Sequence, residues 1–192
     1  MDTNSGGVNQ SAVNQMSSSG LGLPFETGLS YDSQGSGGTG FGDGWMSGSL
    51  AGLTFVGGDV FYQTSPNRTL RFTPGAGSGE YDASYFVRDV LSQDTGSGDY
   101  SLVSPSGALR KFDSTGKLIS FSSPGGQEAT VTYSGSEVDK VSAGTAGNGW
   151  EYDYTWNGSG QVTQIIYKVN GVNVLKTVYG YVSGLLQTVT TY

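Results

Sequence analysis

The sequence predicts an all-β chain of antiparallel hairpins in a curved or spiralling sheet, with almost no helix. Three observations carry this. Glycine supplies 33 of 192 residues and tyrosine 12, a composition that favours strands joined by tight turns. No window sustains apolar residues at i, i+3 and i+4, the mark of an amphipathic helix. The stretch "WEYDYTWNGSGQVTQI", residues 150–165, alternates strictly at its start. Trp150, Tyr152, Tyr154 and Trp156 share one parity, and Glu151, Asp153 and Thr155 share the other. Side chains on a strand alternate between faces, so this strand has an aromatic face backed by a polar one. Such a chain closes its core by stacking sheets or by curling one sheet.

Residues 1–20, "MDTNSGGVNQSAVNQMSSSG", are Ser, Asn, Gln and Gly with little to bury; they read as a mobile polar tail, at least through Ser18. They also lack the basic start and apolar core of a signal peptide. Residues 21–115 read as an entry β segment. Leu21, Leu23, Phe25, Leu29 and Tyr31 share one parity, and the glycine-dense "GSGGTGFGDGW" follows, ending on Phe41 and Trp45. Short strands then alternate with Gly-Gly, Ser-Pro-Asn and Pro-Gly turns. Residues 116–192 carry a loose repeat of glycine, short apolar strand, turn, and strand bearing tyrosine. Its units begin at Gly116, Gly135, Gly160 and Gly184, at intervals of 19, 25 and 24 residues. A period of that length marks a supersecondary unit that stacks on its neighbours.

Asn170-Gly171 between two apolar strands predicts a two-residue type I′ turn, because both central residues need positive φ. That turn fixes the register and pairs Val169 with Val172, Tyr167 with Val174, Ile165 with Lys176 and Thr163 with Val178. This largely apolar face is the expected buried one. The last strand, "GLLQTVTTY", carries no lysine, proline or charge. Natural sheet edges are normally blunted by such residues. Leu185, Leu186, Val189 and Tyr192 are therefore expected to form an edge that adds a further strand.

Charge and residue usage exclude several classes of chemistry. The net charge is −7 and no basic cluster exists, so nucleic-acid binding and attachment to anionic membranes are not expected. No run approaches the length of a membrane span. Histidine and cysteine are absent, which removes disulfides, thiolate chemistry, His-ligated metals and histidine general bases. No cofactor site and no catalytic residue set is expected.

The stretch "YDYTWNGSGQVTQI" resembles a YD repeat, the unit of rearrangement-hotspot (Rhs) and teneurin-type proteins. Tyr152, Asp153 and Tyr154 match its first part, and Gly160, Val162 and Ile165 its second. "TYSGSEVDKV" and "GYVSGLLQTV" are degenerate versions, and "LGLPFETGLSYDSQ…GFGDGW" resembles the entry into such a shell. The resemblance implies a winding antiparallel sheet that serves as a wall or a surface-presented scaffold, outside the cell or on its surface. It implies further YD repeats, or other copies of the chain, as partners. The chain is too short to enclose a cargo and holds no Asp-Pro step, so self-cleaving release is not expected.

Other readings stand beside this one. The row Trp150, Tyr152, Tyr154 and Trp156 could stack on sugar rings, making the chain a carbohydrate-binding β protein; packing against the next layer is the commoner use of such a face. An unguarded terminal strand could instead build a self-associating filament or adhesin. Asp94 and Asp99 in "SQDTGSGDY" offer calcium two carboxylates where it wants six to eight oxygens. Glu80 with Asp82, and Glu151 with Asp153, are carboxylate pairs of the kind glycosidases use, but alternating acids arise by chance on any acidic strand. The expected function is structural or adhesive, not enzymatic.

Overall fold

A computed structural model describes residues 9–11, 17–18, 25–33, 40–145 and 148–192. Five short strands come first: β1 (Asn9–Ser11), β2 (Ser17–Ser18), β3 (Phe25–Glu26), β4 (Ser30–Asp32) and β5 (Trp45–Met46). A single 3-10 turn at Gly48–Leu50 is the one described helical element. Fourteen strands follow: β6 (Leu53–Val56), β7 (Asp59–Ser65), β8 (Arg68–Pro74), β9 (Glu80–Ala83), β10 (Val90–Gln93), β11 (Tyr100–Val103), β12 (Leu109–Phe112), β13 (Leu118–Ser122), β14 (Glu128–Ser134), β15 (Glu137–Thr145), β16 (Asn148–Trp156), β17 (Val162–Val169), β18 (Val172–Val182) and β19 (Leu185–Thr191). They form one antiparallel meander in chain order, open at β6 and β19. The all-β expectation holds. The sheet continues through residue 115, where β12 pairs with β13.

The expected mobile tail lies mostly outside the described residues. Within it, β1 pairs with β4 and β2 with β3, so those two short segments are strands.

The sheet curls. Tyr62 of β7 and Phe112 of β12 lie five strands apart, about 24 Å in a flat sheet, yet their rings are 5.9 Å apart. Phe55 of β6 and Tyr100 of β11 likewise meet at 5.2 Å. At the far side of the curl the Leu53 amide donates to the Gly116 carbonyl at 2.7 Å. A Cβ on Gly116 would sit 2.4 Å from the Leu53 carbonyl oxygen, and its φ is +89°. This turn thus needs glycine for both conformation and room.

The concave face of the second half is covered by the entry segment. Phe25 stacks on Phe121 at 5.5 Å and Trp150 at 6.0 Å, and lies 4.9 Å from Tyr152. Phe41 meets Tyr179 edge-on at 5.3 Å. The core is one continuous apolar cluster running from Phe25 through the strands to Tyr179.

Asn170 and Gly171 have φ of +52° and +78°, and Val169 pairs with Val172, as the two-residue hairpin requires. Beyond it the expected register fails. Lys168 pairs with Asn173, but Tyr167 pairs with Leu175, Ile166 with Lys176, Ile165 with Thr177 and Gln164 with Val178. Val174 is the extra residue of a β-bulge, and it shifts every later pair by one. The inward residues of β18 are consequently Thr177 and Tyr179, while Val172 and Val174 are exposed. Gly171→Val forces a β-branched residue to positive φ. It is expected to destabilise the protein by about 1–2 kcal/mol, read as a lowered midpoint of chemical unfolding.

Candidate functional site

The described residues gather their recurring chemistry along one end of the sheet, where the same local structure is built four times. Phe112 pairs with Leu118, Tyr133 with Val138, Trp156 with Val162 and Tyr181 with Leu186. Each pairing is a bulge, and the extra residues are Ile119, Asp139, Thr163 and Gln187. They lie three or four positions after Gly116, Gly135, Gly160 and Gly184, the glycines that open the repeat units. Each aromatic after the first also reaches backwards. The Tyr133 hydroxyl donates to the Leu118 carbonyl at 2.8 Å, the Trp156 Nε1 to Val138 at 2.7 Å and the Tyr181 hydroxyl to Val162 at 2.8 Å. An aromatic thus pairs with the apolar residue of its own bulge and donates to that of the preceding bulge. The result is a ladder of side-chain-to-backbone bonds two strands apart.

The phenols of this ladder remain donors at neutral pH. Burial, helped by the nearby Asp113 carboxylate, pushes Tyr133 up to about 12. Burial alone raises Tyr181 further. Lys117 Nζ sits 5.0 Å from the centre of the Tyr133 ring and donates to the Gly135 carbonyl at 2.8 Å.

A cleft of about 450 Å³ runs along the ladder, with Leu118, Tyr133, Val138, Trp156 and Val162 in its wall and Gly40 and Phe41 of the entry segment at its rim. Its charged side chains are Lys117 and Glu137. Among the described residues, neither a nucleophile–base pair nor facing carboxylates line it.

The sequence-predicted candidates are distributed differently. Trp150, Tyr152 and Tyr154 face inward and are buried; Trp156 is half-buried and spent in the ladder. Phe25 packs at a tilt against Tyr152 and Tyr167 stacks on it, and burial of all three inward rings leaves little surface for a sugar. Glu151 and Asp153 lie on the opposite face, where Lys140 and Lys168 pair with both carboxylates. The Lys168 ammonium, with Lys140, holds Glu151 below the ordinary carboxylate range. That is the reverse of what a general acid needs. Asp94 caps its own turn, with Oδ1 accepting from Gly96 N at 2.7 Å and Ser97 N at 3.2 Å. Glu80 and Asp82 are exposed on β9. Among the described residues no three His, Cys, Asp or Glu side chains converge on one point.

No protein-family model matches the chain, and no curated protein matches it. The functional reading therefore stands on the geometry. Two features bear on it beyond the ladder. The first is β19, an edge of the sheet. Its bulge at Gln187 brings Leu186 and Val189 against the core, where strict alternation would put them on opposite faces. Leu185 and Tyr192 are exposed. The second was not visible in the sequence. Tyr85 and Phe86 project side by side, 87% and 90% exposed, with Phe86 at φ +72°. A bulky residue held in the left-handed region on the surface is unfavourable for folding, and only the coordinates reveal it.

Proposed function

We propose that the chain is a structural module, a length of β wall of the Rhs/YD-repeat kind, and that its work is to extend and present a curled sheet. The supporting observation is the ladder. Four units of differing sequence set the same bulge behind a turn, and three of them bind back to the unit before. A self-contained binding domain has no need of that regularity; a wall that grows by adding units does. The inward aromatic row, read this way, is wall packing, and the acid–lysine network on its back braces three neighbouring strands. On its resemblance to YD repeats, we read such a wall as standing outside the cell or on its surface.

Because Gly160 and Gly184 are 24 residues apart, Tyr192 occupies the position in its unit that Lys168 holds in the one before. A copy of residues 169–182 appended directly after Tyr192 therefore supplies the next turn and strand in register. The thermal midpoint of the extended chain is expected to rise, at about 2–4 °C per kcal/mol of added contact. The appended amides are expected to become protected from exchange. An unchanged midpoint with the appended segment freely exchanging contradicts the wall reading.

A further inference from the structure

The exposed aromatic pair and the cleft are complementary. Tyr85 and Phe86 project from the β9–β10 loop with ring centres 4.2 Å apart, 87% and 90% exposed. The loop holds them out on a defined turn. The Ser84 amide and hydroxyl both donate to the Arg71 carbonyl, at 3.1 and 2.8 Å, and the Val87 amide donates back to the Ser84 carbonyl at 3.0 Å. Phe86, at φ +72°, therefore takes the third position of a β-turn, where a positive φ calls for glycine. Glycine suits that conformation better, so the fold itself does not account for a phenylalanine there. The cleft of about 450 Å³ has room for both rings, since an apolar cavity of about 150 Å³ takes up one benzene. Leu50, Tyr133 and Trp156 in its wall keep part of their surface uncovered. The charges match as well. Arg88 follows the two rings and is exposed, and Glu137 lines the cleft. Among the described residues neither has an ion-pair partner. Lys117, the cation of the cleft, is already turned to the Tyr133 ring and the Gly135 carbonyl.

We infer that the Tyr85–Phe86 pair of one copy of the chain seats in the ladder cleft of a second copy, with Arg88 facing Glu137 across the contact. Topology keeps a copy from filling its own cleft. The strands of the meander alternate in direction, so successive turns fall at alternate ends of the sheet. The β9–β10 loop lies at the same end as the Asn170-Gly171 turn. The β12–β13, β14–β15 and β16–β17 turns, which carry Lys117, Ser136 and Gly160 of the cleft, lie at the other. A plug at one end and a socket at the other make a heterologous contact, through which copies add end to end. Two aromatic side chains bury about 150–250 Å² each, well short of a standard interface, so the association is weak. A lipid surface also takes up exposed rings, but it leaves the size of the cleft and the charge of Glu137 without a role. The contact uses turns and not strand pairing, and it is independent of the wall reading.

Sedimentation equilibrium of the full chain from micromolar to millimolar concentration tests this. The mass of the parent is expected to rise with concentration. Phe86→Gly suits the turn and is expected to keep the parent's circular dichroism. It is expected to associate about thirty-fold or more weakly, the effect of losing a hot-spot aromatic. Arg88→Glu and Glu137→Arg are each expected to weaken association, and an equimolar mixture of the two to restore it. Phe86→Gly keeps only the socket and Glu137→Arg only the plug, so mixed one to one they are expected to form a dimer and nothing larger. The Trp156 indole proton resonance is expected to move with concentration in the parent and to stay fixed in Phe86→Gly. Mass that rises equally in the parent and in Phe86→Gly places the contact elsewhere and overturns the inference. A parent that stays monomeric at millimolar concentration overturns it too. If that monomer binds phosphatidylcholine vesicles and Phe86→Gly does not, the aromatic pair serves a lipid surface and not a second copy.

Discussion

Tyr152→Ala is expected to cost about 3–5 kcal/mol, the range for removing a fully buried aromatic. That is a large share of the roughly 5–15 kcal/mol that holds a domain folded. Tyr152 has no exposed surface and sits at the centre of the concave face. Its ring stacks on Tyr167 at 4.7 Å, packs against Phe25 at 4.9 Å and meets Trp150 edge-on at 5.5 Å. Truncation leaves a cavity between the sheet and the entry segment, so the damage spreads to the packing of Phe25. Chemical unfolding is expected to show either a transition at far lower denaturant or a chain largely unfolded in buffer. Tyr152→Phe keeps the ring and is expected to stay well above that. If Tyr152→Ala unfolds within about 1 kcal/mol of the parent, less than any core aromatic truncation should cost, then Phe25 does not seal the aromatic row.

Alkaline pH is expected to unfold the protein over a narrow range. Tyrosine in an unfolded chain ionises near 10. Burial raises Tyr154 and Tyr179 well above that; it also raises Tyr181, and Tyr133 to about 12. The folded state therefore holds these protons more tightly than the unfolded state. Their stabilisation is complete below pH 10 and is lost as pH climbs from there towards the folded values. Two of the four, Tyr133 and Tyr181, are ladder donors, and a phenolate cannot donate. Tyrosinate absorbance is expected to rise in two phases, the second coinciding with loss of the β circular dichroism signal. A single titration centred near 10 with the fold intact would show that these hydroxyls are accessible.

The fold class was legible because glycine does so much of the structural work. The glycines that open the units, Gly116, Gly135, Gly160 and Gly184, all have positive φ and all precede a bulge. The hairpin at Asn170 was legible for the same reason. The bulge at Val174 was not, since no residue type demands one there, and a single extra residue reassigned Tyr167 and Ile165 to new partners. The cover over the aromatic row was also hidden: Phe25 and Tyr152 are 127 residues apart in the chain, and nothing local announces their contact. The ladder was half visible. The recurrence of an aromatic late in each unit could be read, but the carbonyl it bonds depends on curl and register. The terminal strand, expected from its lack of guarding residues to add a further strand, is the end strand of the sheet.

The central claim is that β19 is the edge from which the wall extends, and residue-resolved amide exchange of the unmodified chain tests it most directly. The phase set by the Lys176–Tyr192 pair orients the strand. The amides of Thr188, Thr190 and Tyr192 point to β18, and that of Thr191 points outward. Slow exchange is expected at Thr188, Thr190 and Tyr192, and near-unprotected exchange at Thr191. Equal protection of Thr191 in dilute, monomeric protein would mean that the edge is covered there, and would contradict the claim.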